Sequence, residues 1–265
     1  MKVLAWGLTD VGRIRTHNED SFLMNQELAL FAVADGMGGH VGGDRASGLA
    51  VETLERELGK PETRATVRIG PDNDDSVARR LKRAIRVASR SIHDVARTDK
   101  NLEGMGTTLT ALLLQNDRAY LAQVGDSRAY LFRDNNIKQL TKDHSWIEEQ
   151  VSAGLMTRAE ANGSSLKHVV TRSVGFERDV AVDISSVPIS VGDCFLLCSD
   201  GLSNHLGEKE LIDILNKGFY SQVPRMLVDA ANKKGGEDNI TVVLVCLAND
   251  SDSVDVSLSH NRGGQ

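Results

Sequence analysis

The chain has 265 residues, 40% of them hydrophobic and 26% charged, with 31 Lys and Arg against 37 Asp and Glu and a formal net charge of -6. That length suits one large α/β domain or two small ones and suffices to bury a substantial core, while the acid excess speaks against nucleic acid or an anionic membrane as partner. No apolar run approaches the roughly 20 residues that cross a bilayer, and the opening Met-Lys-Val-Leu-Ala-Trp-Gly is too short in apolar residues for a secretory signal.

Residues 3–9 and 28–34 read as strands, short and apolar and ended by Asp or Gly. Asp44 to Leu58 reads as a helix with Ala46, Leu49, Ala50, Thr53, Leu54 and Leu58 on one face, stopped by Gly59 and Pro61. A polar surface loop is expected over 60–73, then a long helix from Asp75 to Arg97. Its apolar stripe is Val77, Leu81, Ile85, Ala88, Ile92 and Val95, and its opposite face carries Arg79, Arg80, Lys82, Arg83, Arg86 and Arg90. Such a face is either solvated or an anion-binding patch.

Three strands in a meander follow: Thr107–Leu114, Arg118–Val124 and Ser127–Phe132. A helical stretch broken at Gly154 and Gly163 spans 145–165. Two strands, Val180–Val187 and Cys194–Cys198, precede helices near Glu208–Leu215 and Ser221–Asn232 and a final strand, Ile240–Leu247. Without an internal repeat or an interdomain linker, residues 1–248 read as one domain and 249–265 as a frayed tail. The order of elements predicts two antiparallel sheets flanked by helices rather than a doubly wound parallel sheet. Cys194, Cys198 and Cys246 form no C-x-x-C pair and sit in apolar runs, so buried reduced thiols are expected, in keeping with a reducing cytoplasm.

Four aspartates share one context. Asp35, Asp126 and Asp200 follow apolar runs and Asp238 precedes one, so each lies at the end of an expected buried strand. Strand ends can project side chains toward one rim of a sheet, where gathered carboxylates repel each other unless a cation neutralises them. Oxygen ligands favour Mg²⁺ or Mn²⁺, and the lack of a Cys/His cluster argues against structural zinc. Arg15 stands close to Glu19 and Asp20 soon after the first strand, and a guanidinium can grip an oxyanion through two parallel hydrogen bonds. The glycine-rich stretch 36–43 is neither G-x-G-x-x-G nor a P-loop, Ser199 is not in a G-x-S-x-G context, and no H-E-x-x-H occurs.

Six segments in this order resemble the motifs of the PPM (protein phosphatase 2C-type) family, bacterial branch. They are Arg-x-x-Asn-Glu-Asp at 15–20, Asp-Gly-Met-Gly-Gly-His at 35–40, Gly-Met-Gly-Thr-Thr at 104–108, Gly-Asp-Ser-Arg at 125–128, Ser-Asp-Gly-Leu at 199–202 and Glu-Asp-Asn-Ile-Thr at 237–241. The resemblance implies an α+β fold, a four-layer α-β-β-α sandwich, and a metal-dependent serine/threonine protein phosphatase that uses activated water without a covalent phosphoenzyme. It implies two Mn²⁺ or Mg²⁺ ions and a weaker third. Asp35 would bridge the pair, Asp200 and Asp238 would bind the first ion and the Gly36 carbonyl the second. Asp20 and Glu19 would act mainly through bound water, Asp126 would form the third site with Asp200, Arg15 would hold the phosphate and Asn239 would orient ligands. The implied partners are phosphorylated Ser/Thr proteins and a cognate Ser/Thr kinase, for a cytoplasmic monomer. A phosphatase dedicated to one partner switch, or a non-catalytic phosphoprotein-binding module, are the alternatives. Two departures stand out: Met37 occupies the position of a proposed general-acid His, with His40 three residues on, and the flap over 145–170 carries Asn162-Gly163-Ser164-Ser165 where relatives often have His-Pro.

Overall fold

The computed structural model describes residues 1–38, 42–60, 74–164, 166, 168–217 and 219–249. The expected loop over 60–73 (Lys60 apart), the tail from 250 onward, His40 and Ser165 lie outside the described residues.

Two antiparallel sheets face each other. The first contains β1 (Lys2–Asp10), β7 (Arg128–Arg133), β8 (Asn136–Gln139), β10 (Cys194–Cys198) and β11 (Ile240–Ala248), in the order β1-β11-β10-β7-β8. The second contains β2 (Asp20–Asn25), β3 (Leu30–Met37), β5 (Leu109–Gln115), β6 (Arg118–Val124) and β9 (Asp183–Pro188) in that order, with the short β4 (Gly106–Thr107) pairing the end of β3. Phe31, Val33, Leu112 and Leu121 from one sheet meet Phe195, Leu197, Val243 and Val245 from the other, and this layer sets their spacing. The outer face of the second sheet is covered by α1 (Gly42–Gly59) and α2 (Asp74–Ala96), through Ala46, Ala50, Leu54, Val77, Leu81 and Ile85. The outer face of the first is covered by α5 (Asp200–Ser203), α6 (Glu208–Lys217) and α7 (Val223–Lys233), through Leu202, Leu211, Leu215, Leu227 and Val228. The result is the expected four-layer α-β-β-α sandwich. Strands β10 and β11 are buried along their whole length, which explains their unbroken apolar sequence.

Local chemistry accounts for most boundaries. The hairpins β5–β6 and β7–β8 close on Asn116-Asp117 and Asp134-Asn135, all four with positive φ, as a two-residue turn between twisted strands requires. The broken helical stretch resolves into α3 (Trp146–Ser152), capped by Ser145, and α4 (Arg158–Asn162), which opens on a capping box between Thr157 and Glu160. The single strand expected over Thr107–Leu114 is two strands. Thr108 leaves the ladder because its N–H donates to the Asp35 carbonyl (2.8 Å) while its hydroxyl accepts from the Asp35 N–H (2.9 Å).

The expectation of three reduced thiols is corrected. Cys194 and Cys246 are directly opposed in the β10–β11 register, with Cα atoms 4.2 Å apart, and form a disulfide. Cys198 stays a free buried thiol, pushed up to about 12 by burial. No helix among the described residues is long and apolar enough to cross a membrane.

The segment that returns from the flap is pinned to α2 and β4. Val174 exchanges both backbone hydrogen bonds with Thr107, and the Gly175 N–H donates to Ser89 Oγ at 3.0 Å. Gly175 has φ +96, and a Cβ there would overlap the side chain of Ile92. Gly48, within α1, has open space at the same position. Gly175→Ala should therefore lower stability by about 2–3 kcal/mol, whereas Gly48→Ala should raise it by about 0.5–1 kcal/mol. Urea unfolding midpoints displaced in opposite directions would confirm both.

Candidate active site

Asp35, Asp126, Asp200 and Asp238 line one cleft of about 960 Å³ at the end of the sandwich, together with Arg15, Glu19, Gly36 and Asn239. Eight of the nine residues singled out from sequence thus share its wall. The ninth, Asp20, lies just behind it, 8% exposed, directly across the β2–β3 ladder from Asp35. Asp35 is part of β3 rather than beyond its end, Asp126 occupies the turn between β6 and β7, Asp200 opens α5, and Asp238 precedes β11.

Buried hydroxyls and amides hold these positions. Ser199 Oγ donates to Asp20 Oδ2 (2.8 Å) and accepts from the Thr241 N–H (2.9 Å), tying the two sheets together beneath the cleft. Asn239 ties down the loop that carries Arg15: its Oδ1 accepts from the Glu19 N–H, and its Nδ2 donates to the carbonyls of Val11 and His17. The Thr107 hydroxyl donates to the Asp35 carbonyl at 2.9 Å. Gly36 lies so close to the backbones of Glu19 and Gly43 that a Cβ would overlap both.

The Asp126 turn has its own frame. Gln123 Nε2 donates to the carbonyls of Gly125 and Ser127, Thr110 Oγ1 donates to Gln123 Oε1, and the hydroxyls of Thr108 and Ser127 share a hydrogen bond. His144 closes the frame: its N–H donates to the Gly125 carbonyl and its Nδ1 accepts from the Gly125 N–H. That contact leaves Nε2 to carry the proton donated to Asp183 (3.0 Å), and burial lowers the affinity of the ring for a second proton. Gly125 has φ +101, and a Cβ there would sit 2.6 Å from Thr108 Cβ. Arg128 of the same motif is structural, gripping Asp143 through Nε and Nη2.

The electrostatics are dominated by crowding. Burial raises the Asp35 carboxyl well above its usual range, and the charges of Asp20, Asp200, Asp126 and Asp238 push it further. Burial lifts Asp20 to about 7, against the hydroxyls of Thr241 and Ser199, which lower it. Burial and the charge of Asp200 lift Asp126 to about 7. Arg15 offsets part of this at the mouth, with Nη2 2.9 Å from Asp238 Oδ2. Asp20 Oδ1 is buried without a hydrogen-bond partner.

This arrangement fits a hard divalent cation. All the donors are oxygens, added positive charge would keep Asp20, Asp35 and Asp126 anionic at neutral pH, and Asp20 Oδ1 has a lone pair to spare. Among the described residues, no three acidic, His or Cys side chains converge tightly enough to hold an ion by themselves, so water would complete the coordination, as Mg²⁺ commonly requires.

A sequence profile of the family described as "Protein phosphatase 2C" matches residues 13–243. The chain belongs to the protein phosphatase 2C family. Over 241 residues it is 40% identical to the serine/threonine phosphatase stp of Listeria welshimeri, covering 89% of this chain and 93% of the relative. Among solved structures, the Streptococcus agalactiae (S. agalactiae) serine/threonine phosphatase matches with a TM-score of 0.84 at 31% identity, covering 93% of this chain and 100% of that one. The catalytic domain of the serine/threonine phosphatase PstP, solved in complex with two manganese ions, matches with a TM-score of 0.79 at 32% identity, covering 94% and 100%. This chain is accordingly a serine/threonine phosphatase of the bacterial kind.

Several residues that build the phosphatase cleft were not anticipated. Thr107, Thr108, Ser127 and Ser199 stand within the recognised motifs, but their supporting contacts are created only by the fold, and His144 had no sequence signal. His17, His168 and His205 line the cleft, and His168 Nδ1 lies 3.7 Å from Asp200 Oδ2. Met37 also lines it and has no proton to give.

In the metal-free phosphatase, Asp20, Asp35 and Asp126 bind protons more tightly folded than at their ordinary value of 3.8. Their contribution to stability is complete below that value and is lost as pH rises through about 7. The melting temperature in EDTA should fall as pH rises from about 4 to about 7, and saturating Mn²⁺ should flatten that slope. Equal slopes with and without metal would mean that these carboxyls do not share a cation.

Proposed function

We propose that this phosphatase hydrolyses phosphoserine and phosphothreonine in proteins at a two-metal centre built on Asp35, Asp200, Asp238 and the Gly36 carbonyl. Asp20 and Glu19 contribute through water, and Asp126 with Asp200 provides a weaker third position. The observation that carries this reading is the convergence of Asp35, Asp126, Asp200 and Asp238, from distant parts of the chain, on one cleft with Arg15 at its mouth and Asp20 directly behind Asp35. Divalent cations bound there, Mn²⁺ or Mg²⁺, supply positive charge for the phosphoryl oxygens and acidify water.

The chain's own residues set the rest. Arg15 is half exposed and held by one contact to Asp238, so its guanidinium can exchange that contact for two phosphate oxygens. Asn239 fixes the loop beneath it, which makes phosphate binding a matter of one side-chain rotation. Hydrolysis by water rather than through a phosphoenzyme is supported by the state of the nearby nucleophiles. Ser199 Oγ is buried and engaged with Asp20 and Thr241, and the Cys198 thiol is buried and protonated at neutral pH. The reading takes residues 1–248 as the catalytic unit, working as a monomer in the cytoplasm, where an ATP-dependent Ser/Thr kinase would make its substrates.

A phosphothreonine peptide should be hydrolysed with Mn²⁺ or Mg²⁺ and not with EDTA. Asp200→Asn should lose about 10³-fold or more in kcat, and Arg15→Ala about 10²-fold in kcat/KM. Failure of folded, metal-loaded wild type on several peptides would shift the reading to a phosphatase dedicated to one partner.

A further inference from the structure

Arg79, Arg83, Arg86, Arg90, His93 and Arg97 follow one another at alternating spacings of four and three, which aligns them along one face of α2 and the residue after it. The five arginines are exposed. From Ser76 to His93 there is no Asp or Glu, in a chain with 37 of them. The acids of α2 are confined to its ends, Asp75 four residues before Arg79 and Asp94 four after Arg90 and paired with Arg178 at 3.3 Å, so Lys82, Arg83 and Arg86 at its centre have no acid three or four residues away. Arg90 pairs with Asp179 at 2.8 Å, but among the described residues Arg79, Lys82, Arg83, Arg86, Arg97 and Lys100 form no ion pair.

The stripe runs into a groove of about 340 Å³ at the C-terminal end of α2. Its rim carries His93, Arg97 and Lys100, with Glu103 as its one acid; Met105 and Gly175 form its buried floor and Phe176 its exposed apolar edge. Phe176 is 65% exposed. The groove and the active-site cleft share a wall: Gly38 lines the cleft, and a Cβ on it would sit 2.8 Å from Met105 Cα in the groove. The groove thus adjoins the cleft, within reach of the segment that follows a phosphoresidue seated there.

We propose that the basic face of α2 and the groove at its end form a docking surface for an acidic segment of the phosphoprotein substrate, outside the cleft where phosphate is removed. The proposal rests on the phosphatase activity and adds a substrate class to it. Arg79, Lys82, Arg83, Arg86, Arg97 and Lys100, without an ion pair among the described residues, supply the charge complementarity, and Phe176 offers a contact for an apolar residue among the acids. A lipid surface fits less well, because the exposed positions of the stripe hold no large apolar side chain to insert.

The test uses the full chain and two phosphothreonine peptides, one with an acidic stretch beyond the phosphoresidue and one with a neutral stretch. Wild type should show a KM about 5–10-fold lower for the acidic peptide, an advantage that shrinks with added salt. Arg83→Glu with Arg86→Glu should abolish it, and Arg83→Gln with Arg86→Gln should halve it or more, with kcat unchanged. Anisotropy of a labelled, unphosphorylated acidic peptide should show the same loss of affinity without any turnover. Hydrolysis of p-nitrophenyl phosphate reports separately on the catalytic centre, so its failure in wild type would count against the metal-centre reading while the anisotropy still decided docking. Equal KM values for both peptides, or unchanged anisotropy in the charge-reversed variant, would overturn the proposal. So would charge-dependent binding to phosphatidylserine vesicles without any preference for the acidic peptide.

Discussion

Mutual repulsion among Asp20, Asp35, Asp126, Asp200 and Asp238 is the constraint around which this molecule is arranged. Burial raises the proton affinity of Asp20, Asp35 and Asp126, and the neighbouring aspartate charges raise it further. No single element could tolerate that density. The fold distributes the load by taking each carboxylate from a different place in the chain and anchoring it on backbone that the two packed sheets already hold rigid.

The anchoring is done almost wholly by uncharged groups. Ser199, Asn239, Thr107, Thr108, Gln123 and His144 contact carbonyls and N–H groups next to the aspartates, so carboxylate oxygens remain turned toward the cleft. Buried basic partners would fix the same positions but would neutralise the charge that a divalent cation needs. Among the described residues, the arginine in direct contact with the set, Arg15, is half exposed and sits at the rim. A rigid anionic floor and an exposed cationic rim are the two parts on which the proposed binding of phosphate against metal rests.

Charge is also segregated at the scale of the whole chain. A net-acidic protein gathers carboxylates at the cleft and places a predominantly basic helix face outside the second sheet. The apolar stripe of α2 is fully spent on the core through Val77, Leu81, Ile85, Ala88 and Ile92, so its basic face is available without cost to packing. The flap's return segment joins these regions, since Gly175 and Phe176 border the groove while Val170 and His168 line the cleft.

Much of this was legible in the sequence. Helical periodicity located α1 and α2 within two residues, and unbroken apolar runs located β10 and β11, because burial on both faces leaves no room for alternation. The acidic residues were identifiable because motifs such as Asp35-Gly36 and Gly125-Asp126 join chemistry and turn formation in adjacent positions. Other features had no local signature. The short edge strand β8 and the four-residue α5 are too brief to show a period, and the split at Thr108 depends on a hydroxyl meeting Asp35 from another strand. Pairing of Cys194 with Cys246 required the β10–β11 register, which no spacing reveals. The sequence by itself determined which side chains carry the chemistry, since that depends on residue type and local backbone preference. Which of them meet in one cleft, which neutral groups hold them there and which basic face stays uncovered were decided only by the packing of two sheets, because those contacts join residues as far apart as Asn18 and Thr9 on one scale and Ser199 and Asp20 on another.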